Sequence, residues 1–157
     1  MKILMVCLGN ICRSPLAEGI MRSKIEKYNL QAEVDSAGFE PFHTGDAPDY
    51  RAIKVANRHG VDISGIRSRL FRKSDFKSFD RIYVMDSNNY NDVQAVSENQ
   101  AQMLKVDYIL NCTNPGTNKA VPDPYYGGED GFEKAYQLID KATELIALEL
   151  QAKSTKK

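Results

Sequence analysis

Cys7 and Arg13 stand with five residues between them in the stretch VCLGNICRSP, residues 6–15, and Ser14 and Pro15 follow directly. A thiolate is a nucleophile, and a guanidinium can grip two oxygens of one phosphate and stays charged at any physiological pH. Between the two lie Leu8, Gly9, Asn10, Ile11 and Cys12. Gly9 and Asn10 are residue types that tolerate left-handed backbone, which a tight curl requires. A curl placed just before a helix collects unpaired N–H donors around one centre, at the positive end of the helix dipole. A phosphate-sized anion fits that cradle. The same donors, with the Ser14 hydroxyl, stabilise a thiolate, so Cys7 is expected to ionise more easily than a free thiol. The chemistry this predicts is attack of Cys7 on a bound phosphorus, with Arg13 and the backbone holding the charge. A cysteine alone reads equally as a small apolar residue ending a buried strand. Arg-Ser-Pro at a strand-to-helix junction favours the chemical reading. The lysine of a nucleotide-binding loop is absent from this stretch.

Residues 2–7, KILMVC, form a short apolar run suited to a strand buried on both faces. Residues 14–28 change to helical spacing, with Leu16, Ala17, Ile20, Met21, Lys24 and Tyr28 on one face, Ser14 as N-cap and Pro15 as first helical residue. Residues 32–38 read as a second strand, and residues 49–59 as a helix with Tyr50, Ile53, Val55 and Ala56 inward, stopped at Gly60. RIYVMD (81–86) and VDYIL (106–110) are two further strands, with residues 87–95 helical between them. From Gly131 onward, Phe132, Ala135, Tyr136, Ile139, Ala142, Thr143 and Ile146 recur at three and four residues, giving a terminal amphipathic helix whose tail, QAKSTKK, should fray. Strands alternating with helices predict an α/β three-layer sandwich: a four-stranded parallel sheet flanked by helices, with the phosphate-binding loop after the first strand. Ligands of such sheets sit beyond the carboxyl ends of the strands, where residues 7–14 fall. One domain over residues 1–152 is expected, with 153–157 as a frayed tail.

Twenty-one basic residues balance twenty-one acidic ones, so no net field draws the chain to nucleic acid or to an acidic membrane. Any anion site must be local. No cationic start leads into a long apolar segment, which predicts a cytoplasmic protein. Three cysteines, Cys7, Cys12 and Cys112, are an odd set for a disulfide framework. The spacing of Cys7 and Cys12 is not that of a usual zinc ligand pair, and His43 and His59 lie far off, so neither a metal nor a cofactor is expected.

VCLGNICRSP resembles the phosphate-binding loop of the low-molecular-weight protein tyrosine phosphatases, whose signature is a cysteine, five residues, then arginine and serine. The resemblance covers nearly the whole chain, including its length, its element order and a second motif, VPDPYYGG, at residues 121–128. It implies hydrolysis of phosphotyrosine and small aryl phosphates through a phosphocysteine. Expelling a phenolate calls for a general acid. Asp123, which alone would read as ordinary Asp-Pro turn chemistry, takes that role by resemblance. Tyr125 and Tyr126 read either as loop anchors or as an aromatic wall for the substrate ring; the family implies the wall for at least one and marks both as candidate phosphorylation sites. Phe42 is the candidate opposing wall, with Phe39 three residues away as its competitor. A deep slot would exclude phosphoserine.

Asn10, Ser14, Ser36 and His59 match, by resemblance, a hydrogen-bonded set that keeps the loop curled; His59 reads equally as a cation at a helix C-terminus. Cys12 shares the curl with Cys7, so the two could form a reversible disulfide that shields the nucleophile, or Cys12 could simply be tucked under the loop. Cys112 reads as packing. The partners implied are a tyrosine-phosphorylated protein and a cognate tyrosine kinase, for a monomer or weak dimer. Two rivals remain. A thioredoxin-coupled arsenate reductase needs two further cysteines where only Cys112 is left. A non-catalytic phosphotyrosine-binding module would have no need of an intact Cys7, Arg13 and Asp123.

Overall fold

The computed structural model describes residues 1–155. Four strands, β1 (Lys2–Val6), β2 (Glu33–Ala37), β3 (Arg81–Val84) and β4 (Val106–Tyr108), form one parallel sheet in the order β2-β1-β3-β4. Around it lie α1 (Arg13–Lys27), α2 (Tyr50–Arg58), α3 (Asp75–Ser78), α4 (Ser87–Val96), α5 (Gln100–Met103) and α6 (Gly128–Thr155). The α/β sandwich read from the sequence is the architecture found.

Alternation along β1 divides the interior. Ile3 and Met5 point into a core shared with Leu16, Ile20, Phe132 and Ile139, from α1 and α6, and with Ala52 and Val55 from α2. Leu4 and Val6 point the other way, toward Phe76 of α3 and Val93 of α4. With both faces covered, the strand is apolar at every position from Ile3 to Val6, as a buried parallel strand must be. On α1, Lys24 interrupts the apolar stripe, and its ammonium is paired with Asp140 and Glu144 of α6 at 2.8 and 3.0 Å.

The register brings Val6 level with Ala37 on one side and Val84 on the other, so three strands end together. From β1 the chain passes to one neighbour, β2, and returns on the opposite side as β3. The crevice at this switch point opens outside the carboxyl ends of β1 and β3.

Several boundaries differ from the sequence reading. Helix α1 starts at Arg13, with Cys12 as N-cap and no capping side chain, because the Ser14 hydroxyl is engaged elsewhere. Tyr50 is not inward: it is 74% exposed, and Ala52 takes its place in the core. The fourth strand ends at Tyr108, and Ile109–Asn111 tighten into a 3-10 turn. Helix α6 begins at Gly128, three residues before the apolar periodicity, and runs to Thr155, into the segment expected to fray; residues 156–157 of that segment lie outside the described residues. No helix among the described residues is long and apolar enough to cross a membrane.

Candidate active site

Strand β1 delivers Cys7, 2% exposed, to the crevice, where the chain curls through residues 8–12 into α1. Four of the five carbonyls of this curl are bonded to groups outside it. Phe39 N–H donates to Leu8 O (2.7 Å), Ser68 Oγ to Gly9 O (3.1 Å), Asp49 N–H to Ile11 O (2.7 Å) and Leu16 N–H to Cys12 O (3.2 Å). The N–H groups of Leu8, Gly9, Asn10, Ile11 and Cys12 have no hydrogen-bond partner among the described residues. Carbonyls engaged elsewhere and N–H groups without a partner meet the electrostatic requirement for an anion cradle.

Asn10 is the residue that turns the curl, with φ +54°. Gly9 is not left-handed, and a Cβ there would stand 2.9 Å from Glu40 Oε1, the end of a flexible side chain that can give way. The stricter glycine is Gly38, just past β2, where a Cβ would meet Leu8 O at 2.8 Å and Asn10 N at 2.9 Å, both backbone atoms.

Buried side chains hold the curl. Asn10 Oδ1 accepts from Arg69 N–H (3.0 Å), and its Nδ2 donates to Ser14 Oγ (2.8 Å) and Ser36 Oγ (2.9 Å). Ser36 Oγ donates to Glu18 Oε1 at 2.6 Å. Ser14 Oγ lies 3.0 Å from Cys7 Sγ, and Ser14 N–H donates to the same sulfur at 3.4 Å. His59, expected in this set, does not join it. Its Nε2 sits 2.9 Å from both carboxylate oxygens of Glu133 and its ring stacks on Tyr136, 4.1 Å between centroids, so it ties the end of α2 to α6. Ser68, Arg69 and Glu18 support the loop instead.

Arg13 is 2% exposed. Nη1 donates to Asp86 Oδ2 at 2.7 Å and to Val121 O at 2.9 Å, and Nη2 faces Asp123 Oδ2 at 3.7 Å. Burial alone would lower its pKa, but the negative charge of the Cys7 thiolate and the carboxylates of Asp86 and Asp123 outweigh that, so its charge is secure. Asp86, two residues past β3, caps α4 by accepting from Asn89 N–H at 2.9 Å. The guanidinium therefore spans the switch point, fixed to β3 on one edge and open to the pocket on the other.

Asp123 N-caps the turn Pro124–Tyr126, its Oδ1 accepting from Tyr125 N–H at 3.0 Å. Together with Cys7, Leu8, Gly9, Ile11, Cys12, Arg13, Glu40, Phe42, His43, Tyr125 and Tyr126 it lines a cavity of about 200 Å³. Phe42, 72% exposed, lines that cavity, while Phe39 does not and packs on Phe71 at 5.5 Å. Tyr125 is held from behind by the Arg51 guanidinium, 5.3 Å from its ring centroid, and Arg51 is paired with Asp49. Glu40 and His43 were missed by sequence reasoning; their only signal was their place beside Phe42. Ser36 supports the loop from below and does not line the cavity.

Burial raises the Cys12 thiol far above its usual range, and the charges of Cys7, Asp49 and Asp123 add to the shift against the opposing pull of Arg51. Cys112 lines a separate groove with Tyr83, Arg81 and Glu149, where burial pushes its thiol up to about 11. All three cysteines are free.

The family model for low molecular weight phosphotyrosine protein phosphatases matches residues 2–156. A relative of that name from Schizosaccharomyces pombe is 43% identical over 143 residues, covering 88% of this chain and 90% of the relative. The one from Homo sapiens is 39% identical over 138 residues, covering 86% of each. Among solved structures, a protein tyrosine phosphatase from Entamoeba histolytica, with Hepes in its active site, superposes with a TM-score of 0.88 at 39% identity, covering 98% of this chain and 99% of that one. The chain belongs to the low molecular weight phosphotyrosine protein phosphatases and is an enzyme that hydrolyses protein phosphotyrosine.

Proposed function

We propose that Cys7, Arg13 and Asp123 carry this hydrolysis in two steps, within a single domain over residues 1–152. The phosphate dianion sits in the curl of residues 8–12, held by backbone N–H groups and Arg13. The Cys7 thiolate attacks phosphorus, the bond to the tyrosyl oxygen breaks, and the Asp123 carboxyl group gives its proton to the departing phenolate. Water then attacks the phosphocysteine, Asp123 takes its proton, and the thiolate leaves with release of inorganic phosphate. The observation that carries the reading is the one-sided hydrogen bonding of the loop: four carbonyls bonded to groups outside it, five N–H groups without a partner among the described residues, and the Ser14 N–H on the sulfur.

Asp123 sits 3.7 Å from Arg13, so substrate phosphate, by engaging Arg13, frees the carboxyl group to face the leaving oxygen. Phe42 on one side and Tyr125 and Tyr126 on the other would flank the aromatic ring, and a tyrosyl group is long enough to bring phosphorus to Cys7 where a seryl group is not. Tyr125 and Tyr126, 43% and 90% exposed, are open to a cognate tyrosine kinase, and phosphorylation there would add charge at the rim. Cys12 closing a disulfide on Cys7 under peroxide would protect the nucleophile from further oxidation. The setting is cytoplasmic and the protein a monomer or weak dimer. Arsenate reduction is disfavoured because Cys112 opens into a different groove.

The test is turnover of aryl phosphates without added metal. Asp123→Asn should slow cleavage by roughly 10²- to 10³-fold with phenyl phosphate and far less with p-nitrophenyl phosphate, whose leaving group needs no proton. Equal losses with both esters would remove Asp123 from the acid role. Binding of phosphotyrosine without turnover by the parent protein would favour the binding module.

A further inference from the structure

Asp49 and Arg51, at the start of α2, reach both lips of the pocket. Asp49 N–H donates to Ile11 O of the loop at 2.7 Å, and the Asp49 carboxylate caps the helix by accepting from Arg51 N–H at 2.8 Å. The same carboxylate takes Nε and Nη2 of the Arg51 side chain, both at 3.1 Å, a two-pronged grip that fixes the plane of the guanidinium. This cation stands against two rings, 4.7 Å from the centroid of Phe132 and 5.3 Å from that of Tyr125. Phe132 is buried in the core and Tyr125 is 43% exposed, so it is Tyr125 that gains a fixed place from the contact. The Tyr126 ring also touches Tyr125, at 5.1 Å, but it is 90% exposed and offers no fixed support.

Tyr125 in turn bears on the carboxyl group two residues before it. Pro124 has no N–H, so the first backbone donor after Asp123 is that of Tyr125, and it meets Asp123 Oδ1 at 3.0 Å. Asp123 Oδ2 faces Arg13 at 3.7 Å. An oxygen that already accepts a backbone N–H is the poorer place for a proton, so the acid form carries its proton on Oδ2, on the Arg13 side. We propose that Arg51 is a positioning residue for the general acid: anchored by Asp49 beside the phosphate-binding loop, its guanidinium holds the Tyr125 ring, and so keeps the Tyr125 N–H on Oδ1 and Oδ2 aimed at the leaving oxygen. The inference rests on the reading of Asp123 as that acid.

Arg51→Gln tests this by removing the cation. The readout is kcat/KM over a series of aryl phosphates of rising leaving-group pKa, because a misplaced donor matters most where the departing oxygen most needs a proton. A fall of about tenfold is expected for phenyl phosphate, part of what removing a general acid costs, and less than about twofold for p-nitrophenyl phosphate. Log kcat/KM therefore drops more steeply with leaving-group pKa than in the parent. A role in stability or pocket shape alone would lower all esters alike. Inhibition by inorganic phosphate, which reads the loop lip, should stay within about twofold of the parent. In an Asp123→Asn background Arg51→Gln should leave the slope as it is, since no proton remains to aim. Should Arg51→Gln fail to fold, Tyr125→Leu breaks the contact from its other end and must steepen the same plot. Equal losses with all esters, an unchanged slope, or a steepening that persists in Asp123→Asn overturns the proposal. If Asp123→Asn itself leaves the slope of the parent, the acid assignment fails and the role of Arg51 falls with it. A slope steepened by Asp123→Asn and not by Arg51→Gln removes Arg51 alone.

Discussion

The two lips of the pocket are built on opposite plans. On the loop lip Cys7, Asn10, Cys12, Arg13 and Ser14 are all at most 5% exposed, and each polar group among their side chains but the Cys12 thiol is fixed by one or more partners. On the other lip the Asp123 side chain is 39% exposed and Tyr125 and Tyr126 are open to solvent. The difference follows the work each lip does. Charge on a transferring phosphoryl group is best stabilised by dipoles already in place, which suits the buried, hydrogen-bonded side chains of the loop lip. In the proposed mechanism the donor must protonate a departing phenolate and later take a proton from water, and the exposure of the Asp123 lip suits both.

That contrast can be broken from the buried side first. Arg13→Lys keeps the charge but cannot reach Asp86, Val121 O and a phosphate together. A loss of roughly 10²- to 10³-fold in kcat/KM is expected from steady-state kinetics, and a loss under tenfold would mean that charge alone suffices. Gly38→Ala pushes a methyl group against two backbone atoms of the loop. It should cost about 1–3 kcal/mol in stability by thermal unfolding and weaken inhibition by inorganic phosphate, whereas an unshifted Tm with parental inhibition would show that the curl yields easily. The smallest effect belongs to Cys12, whose thiol is kept protonated by burial and by the negative charges around it. Cys12→Ser should keep most of the turnover but recover several-fold less activity after peroxide followed by thiol; full recovery would end the protective role.

Much of the loop lip was legible because it is local. A cysteine, an arginine and a serine at fixed spacing between an apolar run and a helical stripe carry their geometry with them. Asp86 and Val121 were harder: they reach Arg13 only through the sheet, although an acidic residue at the carboxyl end of a central strand is a signal in retrospect. Glu18 lies one turn after Ser14 on a buried helix face, a carboxylate where a helix should be apolar, and that was a signal too. Ser68 and Arg69 act through a hydroxyl and a backbone N–H in a segment without periodicity, which no side-chain pattern records. His59 was misplaced for the complementary reason. Its type suited the loop, but its partners, Glu133 and Tyr136, come from a helix more than seventy residues later. The helix boundaries moved where tertiary demands overrode local chemistry: Ser14 would cap α1 well, but its hydroxyl is used on Cys7.

The most direct test of the whole account is mass spectrometry of enzyme quenched in acid during turnover of p-nitrophenyl phosphate. Phosphate should be found on the peptide holding Cys7, bonded to that sulfur, and should be absent from Cys7→Ser together with turnover. Phosphate on another residue, or hydrolysis that survives Cys7→Ser, would contradict it.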